Sequence, residues 1–374
     1  MKRGTLILLS LILLVYSSSL LIVPRILSVE NRTYIYTSSI TYNNNGASVQ
    51  NIDSDLLTYS IFMNTSWQKA YLEAVNSAYI QENDFDGNPV IVFNSTSLNT
   101  GENMTVSYSM RLEEKIRGPP EIDFASSGLL NDIPEKLREE YGRSEGSWIA
   151  DDDLKSLANT IWASQGNTTN VLRIVSGIAD WVGNNVKSLS HDIPYYPLET
   201  YSSLEGDCDD QANLLIVLCR ILRIPAYLQA GSLRWSSSTE TYWDGHITSN
   251  LKYVSYHAWA MVYIPPWGWL PFDMTLGWSS GNALSVVKSA RVWSLDTMPM
   301  INVTKSDWAG IGRDQKAMVI TSSIYSKYDD TLTIQNRESF LYVLLEWRFW
   351  SIIATILGIS IIVWQRIRSG FSKT

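Results

Sequence analysis

Cysteine and histidine are scarce in this chain of 374 residues, which contains two cysteines and three histidines. A structural zinc site generally needs four such ligands, and neither Cys208 nor His257 has three further cysteines or histidines nearby in the sequence. The acidic clusters Asp151–Asp153 and Asp207–Asp210 lack the alternating oxygen-ligand spacing of a calcium loop. We therefore predict no metal and no cofactor.

Basic residues are also in the minority. The chain has 29 lysines and arginines against 37 aspartates and glutamates, a formal net charge of −8. Binding to phosphate groups requires a basic face, so the composition argues against a nucleic acid as partner. No internal repeat or low-complexity tract is visible.

Long apolar runs occur only near the two ends, at Thr5–Val23 and Leu341–Trp364. Each is close to the ~20 residues that span a bilayer, and basic residues next to them mark the cytoplasmic side under the positive-inside rule. The sequence predicts an N-terminal transmembrane anchor or signal peptide at residues 1–26 and a C-terminal transmembrane helix at residues 341–365. We expect the protein to be embedded in the cell membrane at both ends, with the region between them outside the cytoplasm.

Sequons for N-glycosylation agree with this placement. Six asparagines fit the pattern N-x-[ST], and all six lie between the two apolar runs: Asn31, Asn64, Asn94, Asn103, Asn167 and Asn302. The pattern marks surface loops of secreted proteins.

The region from 29 to 116 has the pattern of β-strands. Met104, Val106, Tyr108, Met110 and Leu112 alternate with polar residues, as in a half-buried strand. Turn-rich spacers separate this segment from earlier strand candidates. We predict a β-sandwich domain at residues 29–116.

Helices come first and strands afterwards in the second region, which we place at residues 130–337. Helical periodicity covers Pro134–Tyr141, Asp151–Ala163, Thr168–Asn185 and Cys208–Arg223, and strand patterns follow up to Thr275. This order predicts an α+β domain. The segment from Gly277 to Gln335 gives no clear pattern apart from a strand predicted at Met318–Tyr325.

The two cysteines cannot bond to each other if they share one helix. Eleven residues separate Cys208 from Cys219, a rise of ~16 Å, whereas the Cα atoms of a disulfide lie within ~7 Å. Cys219 lies among leucines and a valine and is predicted to be a small core residue. Cys208 lies in the first turn, where the helix dipole and free N–H groups favour a thiolate and an oxyanion.

The acids that flank Cys208 oppose its ionisation, so the thiol needs a cationic neighbour. His191 and His246 lie in irregular polar segments, whereas His257 opens a strand that turns at Pro265–Gly268 and returns to Asp273. In such an antiparallel pair, the start of one strand lies beside the end of the next. His257 and Asp273 share a face if the connection has five residues or contains one bulge, and not if it has four.

Three motifs then show a resemblance to a known family. Gly206-Asp-Cys-Asp-Asp210, His257-Ala-Trp259 and Gly268-Trp-Leu-Pro-Phe-Asp273 resemble the transglutaminase-like superfamily, relatives of papain-type cysteine proteases, over about Asp151 to Thr275. The strand-rich region before them resembles the β-domain of membrane-anchored microbial and archaeal members. Animal transglutaminases use calcium and a tryptophan in the oxyanion hole. Trp181 lies upstream of Cys208, but in a predicted helix, where a tryptophan is more often a core residue than part of an oxyanion hole.

The resemblance implies a fold and three site residues. The expected fold class is α+β: a papain-like transglutaminase core, with helices packed on an antiparallel sheet, preceded by the β-sandwich and with a transmembrane helix at each end. Cys208 is implied as the nucleophile, His257 as general base and acid, and Asp273 as the group that orients the imidazole.

The leading hypothesis is an extracytoplasmic enzyme that forms a thioester at Cys208 and acts on a peptide or protein substrate outside the cell. The acyl group then passes to water, as in a cysteine peptidase or amidase, or to an amine, as in a protein cross-linker. Hydrolysis is slightly favoured. The alternative is a catalytically silent cell-surface scaffold or binding protein with a papain-like core.

Overall fold

The computed structural model describes residues 31–52, 54–277 and 283–335. The first part of this region is built from eight strands: β1 (Asn31–Asn44), β2 (Gln50–Ile52), β3 (Thr58–Ser60), β4 (Gln68–Val75), β5 (Tyr79–Asn83), β6 (Pro89–Phe93), β7 (Thr96–Leu98) and β8 (Asn103–Lys115).

Helices dominate the next part and strands the part after it. The helices are α1 (Glu135–Tyr141), α2 (Asp152–Ser164), α3 (Val171–Asn185), α4 (Pro197–Ser203), α5 (Cys208–Ile221), α6 (Ala283–Ser289) and α7 (Trp308–Thr321). The later strands are β9 (Lys187–Ser188), β10 (Glu205–Gly206), β11 (Ala226–Leu233), β12 (Ser238–Tyr242), β13 (Ile247–Lys252), β14 (Ser255–Ile264), β15 (Gly268–Phe272), β16 (Thr297–Val303) and β17 (Ile324–Ile334).

The alternation of apolar and polar residues from Met104 to Leu112 is present in the structure as strand β8. Val106, Tyr108, Met110 and Leu112 are buried, and the residues between them are more exposed. β8 pairs with β1 in an antiparallel register from Asn31↔Lys115 to Asn43↔Asn103, so two long amphipathic strands form the centre of this sheet. The prediction of a half-buried strand here is confirmed.

The sheet that contains β1 and β8 also recruits strands from the end of the chain. Its order is β12-β13-β17-β1-β8-β4, so β17 lies beside β1 although nearly 300 residues separate them. The smaller sheet β3-β6-β5 packs through Tyr59, whose ring centroid lies 6.4 Å from that of Tyr108 on β8. Residues 31–333 accordingly form one compact unit, although the sequence suggested a boundary between 116 and 130.

A second sheet has the order β15-β14-β11-β16 with every neighbour antiparallel. The apolar side of α5 packs against β14 and β11, and α2, α3 and α5 share one large core with this sheet. Burial of this continuous apolar surface is the main force that holds the helices on the sheet. The structure therefore has a mixed helix-and-sheet core, as the order of elements in the sequence predicts.

One segment was assigned wrongly from the sequence. Met318–Thr321, predicted as part of a strand, forms the end of helix α7, and the strand β17 begins at Ile324. The helix is capped at its start by Asp307, whose side chain accepts a hydrogen bond from the N–H of Gly310. This Asp cap was the sequence signal for a helix.

The predicted fold class needs a correction at its ends, because the transmembrane helices are not supported. In the part of the chain that the structure describes, no helix is long and apolar enough to cross a membrane. The longest helix there, α3, has 15 residues, which corresponds to ~22 Å against a hydrocarbon core of ~30 Å. The segments 1–26 and 341–365 lie outside the described residues.

Candidate active site

Cys208 is the first residue of helix α5. Asp207 is the N-cap in an extended conformation, and its N–H donates to a carboxylate oxygen of Asp210 at 3.1 Å. The other oxygen of Asp210 accepts the N–H of Tyr195 at 2.6 Å. This local bonding fixes the start of the helix, so the Cys208 side chain projects from the turn whose backbone N–H groups lack helical partners.

Cys219 lies at the opposite end of α5 and is 0% exposed in the apolar core. Both cysteines are free. The prediction that the two thiols do not bond to each other is confirmed, because a single straight helix keeps them apart.

His257 and Asp273 lie in contact on the neighbouring sheet. Nε2 of His257 is 3.0 Å from Oδ1 of Asp273, and the two residues are 6% and 1% exposed. The connection between β14 and β15 has three residues, because Ile264 pairs with Gly268. Like the five-residue connection considered above, a connection of three residues is odd in length. An odd connection puts the side chains of His257 and Asp273 on the same face of the strand pair.

The contact is close enough for an ion pair, but Nε2 is not aligned for a hydrogen bond. Catalytic contacts of this kind are often loosely aligned until substrate binds. With Nε2 turned toward the carboxylate, Nδ1 is the ring nitrogen that remains for a second partner.

Asp273 is held as a carboxylate by its surroundings. Burial by itself raises the pKa of Asp273, but contact with His257 and backbone N–H groups outweighs it and leaves the pKa below its ordinary value. The N–H groups are those of Leu276, at 3.0 Å, and Arg291, at 3.4 Å. The residue can therefore orient and stabilise an imidazolium without taking its proton.

The thiol of Cys208 is kept protonated by its surroundings. Burial, then the charges of Asp209 and Asp207, raise its pKa, whereas the N–H groups of Ala258 and Asp209 act in the opposite direction. Since Ala258 follows His257 directly, the bond from the Ala258 N–H to the sulfur brings the Cys208 side chain close to the start of β14. As the sequence indicated, the helix terminus alone does not activate this cysteine.

The carboxyl groups next to Cys208 interact strongly with one another. Burial and the neighbouring carboxylates of Asp209 and Asp210 raise the pKa of Asp207 to about 9. Burial and Asp209 raise the pKa of Asp210 to about 6. One Oδ atom each from Asp207 and Asp209 and the sulfur of Cys208 lie within 4.8 Å of one another, a spacing that could also hold a metal ion, although the group offers only three ligands.

A cavity of about 280 Å³ opens beside Cys208. Cys208 and His257 both line it. The other lining residues come from four strands and two helices: Ser60, Asp209, Ala230, Gly231, Tyr256, Ala258, Met300, Ile301 and Trp308. The structure thus brings Cys208, His257 and Asp273 to one place, although they are far apart in sequence.

Several of these lining residues could not be identified from the sequence. Met300, Ile301 and Trp308 lie in the segment after Gly277 that gave no clear pattern, and Ser60 lies in the preceding β-region. The indole N–H of Trp308 donates to Oδ2 of Asp209 at 2.6 Å. By contrast, Trp181 packs against Tyr201 with ring centroids 5.8 Å apart, in a core role.

Gly231 is a position where only glycine fits. It is the cross-strand partner of His257, and a Cβ there would lie 2.3 Å from the carbonyl oxygen of Met298 on β16. A side chain would push β16 away from β11. The glycine therefore allows β16 to pack closely against β11 at the position paired with His257.

The other two histidines have different surroundings. His191 stacks on Tyr195 at 4.0 Å, and its backbone N–H bonds to the carboxylate of Asp207. His246 stacks on Tyr325 at 4.3 Å. Neither lines the cavity. His191 nevertheless contacts the acidic cluster around Cys208, which its irregular sequence context gave no reason to expect.

With this geometry in place, the chain can be compared with known proteins. Residues 155–274 match the model of the transglutaminase-like superfamily, and this segment includes Cys208, His257 and Asp273. The match runs through the helix-and-sheet core, from α2 to the end of β15. No curated protein matches the chain.

Of the solved structures that match, one supports the fold. A structure of a candidate cysteine protease from Cytophaga hutchinsonii matches 83% of this chain and 92% of its own, with 18% identity and a TM-score of 0.52. The periplasmic domain of TgpA from Pseudomonas aeruginosa, bound to ethylmercury, matches 70% and 94%, with 12% identity and a TM-score of 0.32. Red sea bream transglutaminase matches 68% and 47%, with 10% identity and a TM-score of 0.29. The last two TM-scores are too low to support a conclusion about this chain.

Proposed function

We propose that the protein is a cysteine-dependent acyl-transfer enzyme in which Cys208 is the nucleophile, His257 the general base and acid, and Asp273 the orienting group. The observation that carries the proposal is the shared cavity. Cys208 at a helix N-terminus and His257, in contact with the buried carboxylate of Asp273, both line it. A nucleophile, a base and a group that orients the base are the parts that this chemistry requires.

In the first half of the reaction, the thiol proton moves to Nδ1 of His257 as the sulfur bonds to the acyl carbon of the substrate. Asp273 stabilises the imidazolium from the other side of the ring. We assign stabilisation of the developing oxyanion to the backbone N–H of Cys208, because this residue lies at the helix N-terminus. The C–N bond then breaks, the leaving amine takes the proton from His257, and a thioester remains on Cys208.

In the second half, His257 removes a proton from the acceptor, which attacks the thioester carbon. The C–S bond breaks, and the sulfur regains a proton from the imidazolium. Water as acceptor makes the protein a peptidase or amidase, and a primary amine makes it a cross-linker. Hydrolysis is favoured, in keeping with the fold likeness to a candidate cysteine protease.

The raised pKa of Cys208 fits this scheme. Burial of the thiol and the acids beside it make a free thiolate unfavourable, so proton transfer to His257 should accompany attack instead of preceding it. The proton then stays within the site, between the sulfur and the imidazole.

A mass-spectrometric experiment tests the proposal. The purified protein is incubated with mixed peptides, with and without a primary amine, and both products and protein are weighed. Hydrolysed or amine-linked products, together with an acyl adduct on Cys208, are expected for the enzyme and not for Cys208→Ala. A catalytically silent scaffold would give neither product nor adduct, and that result would refute the proposed activity.

A location outside the cytoplasm, with a peptide or protein substrate there, is part of the proposal. It is supported by exposure of five of the six sequon asparagines, at positions 31, 64, 94, 103 and 167. Asn302 differs, since its side chain bonds to Gln229 within the structure. Protease added to intact cells should degrade the region from 31 to 335, and full protection of that region would contradict the placement.

A further inference from the structure

The wall of the cavity beside Cys208 is made of apolar side chains in register across three strands. Ala258 on β14 pairs with Ala230 on β11, and Ala230 pairs with Ile301 on β16. Because cross-strand partners point to the same face, these residues form a continuous row that starts where the Ala258 N–H contacts the nucleophile's sulfur.

A β-bulge adds a further apolar group to this wall. On β16, Ile301 pairs with Ala230 and Pro299 pairs with Gly231, so Met300 is an extra residue without a cross-strand partner. In a regular strand, Met300 and Ile301 would point to opposite faces. Both of them line the cavity, and re-aiming of side chains is a common effect of bulges next to active sites.

The charges at the cavity are negative. Asp209 lines it and is held in place by the indole N–H of Trp308 at 2.6 Å. Among the residues that the structure describes, those that line the cavity include no lysine or arginine. An anionic group would therefore enter next to a carboxylate and without a lysine or arginine to pair with, which is unfavourable on both counts.

The polar groups in the lining are few or already engaged. The hydroxyl of Tyr256 donates to Oδ2 of Asp330 at 2.7 Å. The volume of about 280 Å³ lies just below the range of ~300–1,000 Å³ for sites that enclose drug-sized ligands. The space is large enough for an apolar side chain.

We propose that this cavity is the subsite for an uncharged, apolar side chain on the acyl donor, and that the bulge residues Met300 and Ile301 determine this preference. The inference rests on the proposed function, because the cavity is a donor subsite only if Cys208 accepts the acyl group. The substrate would thus be a peptide or protein cleaved or joined at a residue with an apolar side chain.

Three esters with one leaving group test the preference. p-Nitrophenyl acetate, p-nitrophenyl hexanoate and the mono-p-nitrophenyl ester of glutaric acid differ only in the acyl part. The rate of acylation is followed by p-nitrophenolate release, and the adduct on Cys208 by mass spectrometry. Hexanoate should acylate at least about tenfold faster than acetate, since each methylene in an apolar pocket contributes about that much or more, and glutarate should be slower than hexanoate by a similar factor or more.

A variant and a control sharpen the test. Met300→Lys places a cation in the cavity wall and should raise the glutarate-to-hexanoate rate ratio at least about tenfold. Met318→Lys is the matched control, because Met318 is a half-buried methionine on α7 outside the cavity, and its ratio should stay at the wild-type value. Circular dichroism on both variants checks that they fold.

The outcomes separate the two claims. Acylation of Cys208 at similar rates by all three esters, or faster by glutarate than by hexanoate, would overturn the apolar subsite and leave the acyl-transfer function standing. A Met300→Lys variant that folds but keeps the wild-type ratio would overturn the role of the bulge. Absence of any adduct on Cys208 would refute the proposed function itself. The wild-type ester series does not depend on the variants, so it decides the preference even if Met300→Lys fails to fold.

Discussion

The two ends of helix α5 carry the same amino acid in opposite surroundings. At its start, Cys208 is half-buried beside a cavity, three carboxyl groups and the strand β14 that carries His257. Near its end, Cys219 is completely buried among apolar residues. Burial raises the thiol pKa at both places, so the pKa of the cysteine alone does not distinguish a nucleophile from a packing residue.

The difference lies in what else reaches each thiol. Burial alone raises the pKa of Cys219. Cys208 is contacted by backbone N–H groups and carboxylates, and it shares its cavity with His257. The comparison teaches that the reactivity of a cysteine is set by neighbours that can move a proton, which belong here to other strands of the fold.

Removal of the thiol at the start of the helix should have the largest effect. Cys208→Ala should lower acyl transfer by at least ~10³-fold, because no other group can form the thioester. The same assay on Cys219→Ala should give activity close to wild type. Acyl transfer that survives in Cys208→Ala would show that the two ends of the helix do not differ in the proposed way.

The second largest effect is expected from the carboxylate that supports His257. Asp273→Asn keeps the size of the side chain but removes the charge that stabilises the imidazolium, so turnover should fall by ~10²–10⁴-fold. The measurement is kcat for the best peptide or ester, with the adduct on Cys208 weighed after single turnover. Asp296→Asn is a control outside the cavity, and equal losses in the two variants would contradict a specific role for Asp273.

A smaller effect concerns pH and the acids around Cys208. Asp207 holds its proton to about pH 9 in the folded state, against ~3.9 in an unfolded chain. The folded state therefore binds more protons within that window, and this group makes the free energy of unfolding fall as pH rises through it. Asp207→Asn cannot ionise, so its stability relative to wild type should rise by at least ~1 kcal/mol from pH 5 to pH 8.

Urea denaturation at the two pH values measures this change. Asp153→Asn serves as the matched control, since Asp153 is an exposed acid in the first turn of α2. The control should show no comparable difference between pH 5 and pH 8. A relative stability of Asp207→Asn that is flat or falls with pH would mean that Asp207 is ionised in the folded protein.

The smallest effect is expected at the apolar end of the helix. Cys219→Ala should lower the free energy of unfolding by ~1 kcal/mol, because a small buried group loses its packing contacts. Iodoacetamide should label Cys219 only after unfolding, whereas Cys208 should react in the native state, faster as the pH is raised. Native labelling of Cys219 at the rate of Cys208 would remove the distinction between the two ends.

Much of the core could be predicted from local patterns. The helices α2, α3 and α5 follow from apolar periodicity and polar caps near their starts, and each lies within a few residues of its predicted bounds. Periodicity works here because a face buried against one neighbour leaves a regular trace in the sequence. It fails for α7, where only Ala309 and Val319 are buried, so no apolar stripe marks the helix.

The sequence by itself determined that Cys208 lies at a helix start, that Cys219 is a core residue and that the two cannot bond to each other, because these facts depend on contacts within one helix. Only the tertiary structure decided what surrounds Cys208. Ser60, Met300, Ile301 and Trp308 reach the cavity from strands and a helix distant along the chain, through a bulge and a shared sheet that depend on long-range pairing. Such pairing follows from packing of the whole core, and a local sequence pattern carries no record of it.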